Sequence, residues 1–208
     1  MAAARRGWPA PGSSVLFLCD LQERFRGSVA AFPQIVAVAA RLLQGCRILG
    51  VPALVTEQRP EVLGCTVPEL GAQDLPRVPK TAFSMAGAAA PLLGDPKIRS
   101  VLLCGIEAHA CVLVCFWRVP GEFWSQPGRA SGVGGVPGVF LEIFWGSQVC
   151  SGPSQVDRAL ALARMRQAGA HLSTCESLLL LLLRDAAHPH FRQILPLIKE
   201  PPPDTGLI

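Results

Sequence analysis

Three side chains in this 208-residue chain have types and placements that suit covalent chemistry: Asp20, Lys80 and Cys111. Asp20 ends the apolar run Ser14-Val-Leu-Phe-Leu-Cys19. Such a run reads as a strand buried on both faces, and ligands collect at the carboxyl ends of parallel strands. Lys80 follows a Pro/Gly-rich stretch. Cys111 lies just past a second apolar run, Ser100-Val-Leu-Leu-Cys104, and the turn residue Gly105, where a helix would begin. A cysteine at a helix N-terminus gains thiolate character from exposed amides. A neighbouring lysine adds to it, and a carboxylate accepts the proton. The combination suits a thiol nucleophile, a general base and an electrostatic stabiliser. The amides of the turn from Glu107 to Cys111 could supply an oxyanion hole. On spacing alone a blander reading stays open: Asp20 as a turn cap, Lys80 on a solvated loop, Cys111 as core filler.

The elements that must position these groups follow from the apolar pattern. Pro33 opens a helical run, with Ile35, Val38, Ala39, Leu42, Leu43, Cys46 and Leu49 on one face and Gly50 as the stop. Pro52–Thr56 reads as a second strand, Lys80–Ser84 as a brief extended segment and Gly87–Leu93 as a small-residue helix. Between them, residues 57–80 read as a long loop of the kind that often carries function. Strand, helix, strand, loop, helix and strand in this order imply β-α-β units and a three-layer α/β/α fold with a mainly parallel sheet. Later, Ser154–Gly169 reads as a helix, His171–Thr174 as a last strand, Cys175–Leu183 as a helix and Phe191–Ile198 as an amphipathic stretch. The expected organisation is a flexible N-terminus (1–12), a single domain (13–199) and a Pro-rich tail (200–208).

Residues 114–148 break the pattern. From Val119 to Pro153, 12 of 35 residues are Gly or Pro, and seven of the chain's 13 aromatics lie between Phe116 and Trp145. Pro120 is expected to stop any helix within about two turns, and Ser131–Gly138 suits neither helix nor strand. Val139–Trp145 reads either as a short strand or as an apolar helical turn. The sheet is therefore expected to be disrupted here. The sharp shift in composition suggests an alternatively translated piece joined in frame near Cys150, with a natural insertion loop as the other reading.

Composition excludes several classes. The apolar fraction is 50% and the formal net charge +4, with the basic residues dispersed, so neither disorder nor nucleic-acid binding is expected. No apolar stretch reaches the roughly 18–20 residues of a membrane span; Leu178–Leu183 is only six leucines. Eight cysteines with no C-x-x-C pair fit free thiols in a reducing compartment. The N-terminus lacks an apolar secretory core. Cytoplasm is the default address, with the nucleus open to so small a chain and Arg5-Arg6 a weaker argument for mitochondria.

Several motifs resemble a known family. Val15-Leu-Phe-Leu-Cys-Asp20-Leu-Gln22 with Phe25, Thr56-Glu-Gln58, Gly64-x-Thr-Val-Pro-Glu-Leu70, Lys80-x-x-Phe-Ser-Met85 and Leu103-Cys-Gly-Ile-Glu-Ala-His-Ala-Cys111-Val112 occur in order. So do Ser154-Gln-Val-Asp-Arg158, Met165-Arg-Gln-x-Gly169-Ala and Lys199-Glu-Pro. Together they resemble isochorismatase-like cysteine hydrolases. The resemblance implies Asp20 as general base, Lys80 as its charged partner and Cys111 as nucleophile. It implies an oxyanion hole at Glu107 and Cys111, with a non-proline cis peptide before Glu107. Gln22, Phe25 and Glu57 join Glu107 as expected substrate-pocket residues, with Glu57 equally readable as a plain loop charge.

The nicotinamidase branch of that family binds a metal through an Asp and two His after the second strand. Here that place reads Thr56-Glu-Gln-Arg-Pro60, without His, so no metal and no cofactor are expected. The expected partner is a small-molecule substrate, an amide or related carbonyl compound of unknown identity. A protein partner and a homo-oligomer remain open. Two other readings compete with the hydrolase: an inactive interaction protein that keeps the fold, and a non-functional isoform.

Overall fold

The structure, a computed structural model, describes residues 9–124, 138–142 and 154–201. Six strands form one sheet in the order β3-β2-β1-β4-β5-β6. They are β1 (Ser14–Cys19), β2 (Ala53–Gln58), β3 (Arg77–Lys80), β4 (Ser100–Gly105), β5 (Gly138–Glu142) and β6 (His171–Ser173). Every neighbouring pair is parallel. The helices are α1 (Phe32–Ile48), α2 (Pro60–Leu63), α3 (Ala86–Leu93), α4 (Leu113–Trp124), α5 (Ser154–Gln167), α6 (Cys175–Leu183) and α7 (Phe191–Lys199). No described helix is long and apolar enough to cross a membrane.

Strand alternation sorts the side chains into two cores. Leu16, Leu18, Val55, Leu102 and Cys104 face α1, α6 and α7, where they meet Leu42, Leu178 and Ile194. Val15, Phe17, Cys19, Leu54, Val101 and Leu103 face the other way, onto Met85 just ahead of α3, Ala89 of α3, Phe116 of α4 and Met165 of α5. Each fully buried side chain of this kind contributes about 1.5–3 kcal/mol. This covering on both faces makes β1 and β4 continuous apolar runs, with all six residues of β1 buried. Local signals agree with it. Gly50, at φ 71°, ends α1 in the left-handed conformation that favours glycine. Thr174 caps α6 by accepting a hydrogen bond from the Ser177 amide at 3.3 Å.

The expected disruption at 114–148 is corrected in two places. The helix does not stop before Pro120; α4 runs through it to Trp124. A proline removes one i→i−4 bond, here to the Phe116 carbonyl, and that single loss does not end a helix anchored elsewhere. Cys115 and Phe116 supply the anchor by packing into the second core. Both α3 and α7 also carry an internal proline, at Pro91 and Pro196. The sheet is not interrupted either, because β5 pairs with β4 from Ser100↔Gly138 to Leu103↔Leu141 and with β6 from Phe140↔His171 to Glu142↔Ser173. Of the two readings for Val139–Trp145, the strand is the one found over Val139–Glu142. The Gly-rich 131–137, residues 143–153 (which include the junction near Cys150), the first eight residues and the tail from 202 lie outside the described residues.

The close approach of β1 and β4 yields a test. Gly105 has φ 129°, and a Cβ there would lie 2.2 Å from the Cys19 carbonyl oxygen. Gly105→Ala is expected to cost about 2–4 kcal/mol through backbone strain and overpacking, read as a lowered urea midpoint. Gly12→Ala, where nothing lies within 4 Å, should leave it unchanged. Equal midpoints for all three proteins would contradict the described packing.

Candidate functional site

Three strand ends bring the site together. Asp20 follows β1 with φ 55°, a left-handed conformation that aspartate tolerates better than most residues. Its amide donates to the Thr56 carbonyl of the adjacent β2 at 3.3 Å. Lys80 closes β3. Cys111 lies in a π-helical turn, Ala108–Val112, that joins β4 to α4. The peptide between Ile106 and Glu107, just ahead of that turn, is cis.

The contacts form a chain through the lysine. Lys80 Nζ donates to Asp20 Oδ2 at 2.6 Å and to Gln58 Oε1 at 2.7 Å. The Ala82 and Phe83 carbonyl oxygens accept from it at 3.2 Å each, and Cys111 Sγ lies at 3.9 Å. Thr56 Oγ1 donates to the other Asp20 oxygen at 2.8 Å. The Asp20 and Lys80 side chains are 1% and 6% exposed, and Cys111 is buried. In such surroundings a lysine keeps its charge only if paired. Burial works against the Lys80 ammonium, but the acidic groups beside it, Cys19, Asp20 and Cys111, more than offset this and raise its pKa above the ordinary value.

Two more thiols border Cys111. Cys19, the last residue of β1, has its sulfur within 4.8 Å of Cys111 Sγ, and both Cys111 and Cys115 act on its thiol. Burial pushes the Cys19 thiol well up, and these contacts add to the shift. Cys115 accepts from the Met85 amide at 3.0 Å. Its thiol is drawn down, chiefly by the hydrogen bond from Cys19. Cys19, Asp20 and Cys111 present potential metal-ligand atoms within 4.8 Å of one another. The Lys80 ammonium already contacts Asp20 and approaches Cys111, so a cation entering this cluster would meet a like charge. A cavity of about 490 Å³ opens beside Lys80, with Val78, Thr81, Ser84, Ala88 and Arg118 among its walls. It offers room for a small molecule; of Asp20, Lys80 and Cys111, only Lys80 lines it.

The remaining expected residues separate by sheet face. Glu107 sits at the start of the Cys111 turn, where its carbonyl accepts from the Ala110 and Val112 amides at 3.1 and 3.2 Å. Burial pushes its carboxyl up, and Oε1 is buried without a partner among the described residues. Glu57 points to the opposite face from Thr56 and Gln58 and is held by Thr66, whose amide and hydroxyl donate to Oε1 at 2.6 and 2.7 Å. Phe25 packs against the core on the α1 side. Gln22 is a buried clamp: Oε1 accepts from the Gln58 amide at 2.7 Å, and Nε2 donates to the Gln58 and Gly64 carbonyls at 3.0 and 2.7 Å. It supports the strand that carries Gln58. Thr56 and Gln58 themselves were not among the expected site residues. Period-two alternation along β2, with Cys19 in register with Thr56, is the signal that selects them and turns Glu57 away.

The buried ion pair predicts a pH dependence. Lys80 has a raised native pKa, so its contribution to stability is complete below the unfolded lysine value of about 10.4 and is lost as pH rises through the native value. The denaturation midpoint of the natural chain should fall more steeply than that of Lys80→Met as pH rises from the unfolded lysine value through the raised native one. Parallel alkaline limbs would show that the pair is not formed.

Comparison with known proteins identifies the family and the fold. The isochorismatase domain matches residues 14–116. Isochorismatase domain-containing protein 2 from Pongo abelii is 52% identical over all of this chain and 95% of that protein, and the Homo sapiens protein of the same name is 51% identical over the same shares. Among solved structures, the MAR1 ribonuclease from Caenorhabditis elegans is 34% identical, with a TM-score of 0.80 over 97% of both chains. The hydrolase of unknown specificity encoded by ycaC in Escherichia coli, described as octameric, shares the fold at 20% identity and a TM-score of 0.65, covering 90% of this chain and 94% of that one. The chain belongs to the isochorismatase-domain family.

Proposed function

We propose that this chain hydrolyses a small amide or related carbonyl compound through Cys111. The observation that carries the reading is the single ammonium of Lys80, 2.6 Å from the Asp20 carboxylate and 3.9 Å from the Cys111 sulfur. A base and a nucleophile grouped around one buried cation suit acyl transfer.

The steps balance as follows. Asp20 takes the proton from the Cys111 thiol, and the sulfur attacks the carbonyl carbon. Charge moves to the carbonyl oxygen, which amides of the turn from Glu107 to Cys111 receive. The intermediate collapses, the C–N bond breaks, and the departing amine takes the proton held by Asp20. Asp20 then removes a proton from water, whose oxygen attacks the thioester carbonyl. The C–S bond breaks, the acid leaves, and sulfur and carboxylate return to their starting state. Lys80 remains charged throughout and stabilises the anionic form of each partner.

Burial of Cys111 and Asp20 favours a small substrate over a polymer. The lysine's three N–H bonds already face Asp20, Gln58 and two backbone carbonyls. That leaves no free donor for a phosphoryl oxygen, and so favours carbonyl chemistry over the phosphodiester cleavage suggested by the name of the Caenorhabditis elegans protein. Self-assembly belongs to the same reading. Phe83 and Trp117 are exposed apolar side chains close in sequence to the cavity residues, and the Escherichia coli relative is described as octameric.

The test is a screen of small amides and esters with purified full-length protein. Cys111→Ala should abolish turnover of any hit. Asp20→Asn should lower kcat about 10²–10⁴-fold, as expected for loss of a general base. A mass increase on Cys111 during turnover should reveal the thioester. Turnover that survives Cys111→Ala would rule this mechanism out.

A further inference from the structure

The hydrolytic mechanism uses one thiol, yet three are grouped at the site. Cys19 Sγ and Cys111 Sγ lie within 4.8 Å of each other, with the Asp20 carboxylate inside the same radius. Both residues are buried, Cys19 completely. Cys19 ends a central strand in register with Gly105, and the Ile106 amide donates to its carbonyl at 3.0 Å. The chain leading into the Cys111 turn is therefore fixed against it. Cys115 is the less available neighbour, since the Met85 amide donates to its sulfur at 3.0 Å and its thiol faces the Phe83 carbonyl at 3.7 Å. Cys65, the exposed free thiol among the described residues, belongs to the loop after α2.

We propose that Cys19 is a resolving thiol for Cys111, so that mild oxidation locks the site as a Cys19–Cys111 disulfide and a dithiol releases it. The oxidant is hydrogen peroxide, small enough to enter a site that admits a small substrate. The Cys111 thiolate attacks one peroxide oxygen, the O–O bond breaks, and a proton from the medium completes the departing water. Sulfur is oxidised to sulfenic acid and peroxide is reduced. The Cys19 thiol then attacks that sulfur. Its proton leaves with the hydroxyl as a second water, and the S–S bond forms. Asp20, next in sequence and within the same cluster, is placed to relay the proton. The sulfurs must close to about 2.05 Å, which side-chain rotation and a shift of the π-helical turn supply. Without a neighbouring thiol, a sulfenic acid proceeds to sulfinic acid, which is ordinarily irreversible. The inference needs Cys111 only as the more reactive thiol. A chain that hydrolyses nothing can still form this bond, so the two proposals fail separately.

The experiment treats the full chain with a few molar equivalents of hydrogen peroxide, enough to carry a thiol past sulfenic acid, blocks free thiols, digests without reductant and maps cross-links by fragmentation. The expected product joins tryptic peptides 7–24 and 100–118 through Cys19 and Cys111, and dithiothreitol removes it and restores Cys111 alkylation. In Cys19→Ala the link is absent and Cys111 accumulates as sulfinic acid. In Cys115→Ala the link persists, and this second variant keeps the test decisive if the first fails to fold. A Cys111–Cys115 link, a link through Cys65, or direct conversion of Cys111 to sulfinic acid in the natural chain would each overturn the proposal.

Discussion

The site depends on keeping one ammonium charged inside the protein. Lys80 is nearly without solvent, and a lone buried cation would lose its proton or unfold its surroundings. It stays charged because Asp20, Gln58 and two carbonyls surround it at 2.6–3.2 Å. Each partner is fixed by a different part of the fold. Asp20 ends the central strand and is steadied by Thr56. Gln58 ends β2 and is steadied by Gln22. The carbonyls come from the connection that follows β3. Three adjacent parallel strands must therefore end at matching heights before the cation is satisfied. Cys111 enters from the fourth through the turn after Gly105, so it sits in a potential the sheet has already set.

Much of this was legible in the residues because the same physics wrote both levels. A strand covered on both faces must be apolar along its whole length, so Ser14–Cys19 and Ser100–Cys104 stand out and the polar residue or turn after each marks a sheet end. Of the groups that meet around Lys80, Asp20 and Cys111 were visible in such places. What failed to show was face. Glu57 looks as suitable for a pocket as its neighbours, yet alternation in β2 gives Thr56 and Gln58 to the Asp20 side and sends Glu57 to Thr66. Phe25 goes to the α1 core and Gln22 becomes a strand clamp. Lys80 itself ends a strand, Arg77–Lys80, where an extended segment was expected to start. Those assignments depend on register, which composition does not report.

Residues 114–148 show the opposite limit. Their glycine, proline and aromatic content argues against regular structure, and local propensity alone would leave a gap in the sheet. The structure instead carries α4 through Pro120 and places Gly138–Glu142 between β4 and β6. Tertiary context explains the difference. A helix anchored by Cys115 and Phe116 tolerates one missing hydrogen bond. A short run such as Val-Phe-Leu has two waiting edges with which to pair. The same context holds the second core over Cys19, Cys111 and Cys115, the thiols that surround the cation.

The central claim is that Lys80 activates Cys111 within an assembled site. The most direct measurement is the iodoacetamide alkylation rate of Cys111 at neutral pH, mapped by mass spectrometry and referred to the exposed Cys65 of the same molecule. In the native chain Cys111 should react faster than Cys65 despite its burial. In Lys80→Met its rate should drop about tenfold while Cys65 is unchanged, and in denaturant the two rates should converge. A native Cys111 that reacts no faster than Cys65, or that ignores the loss of Lys80, would contradict the account.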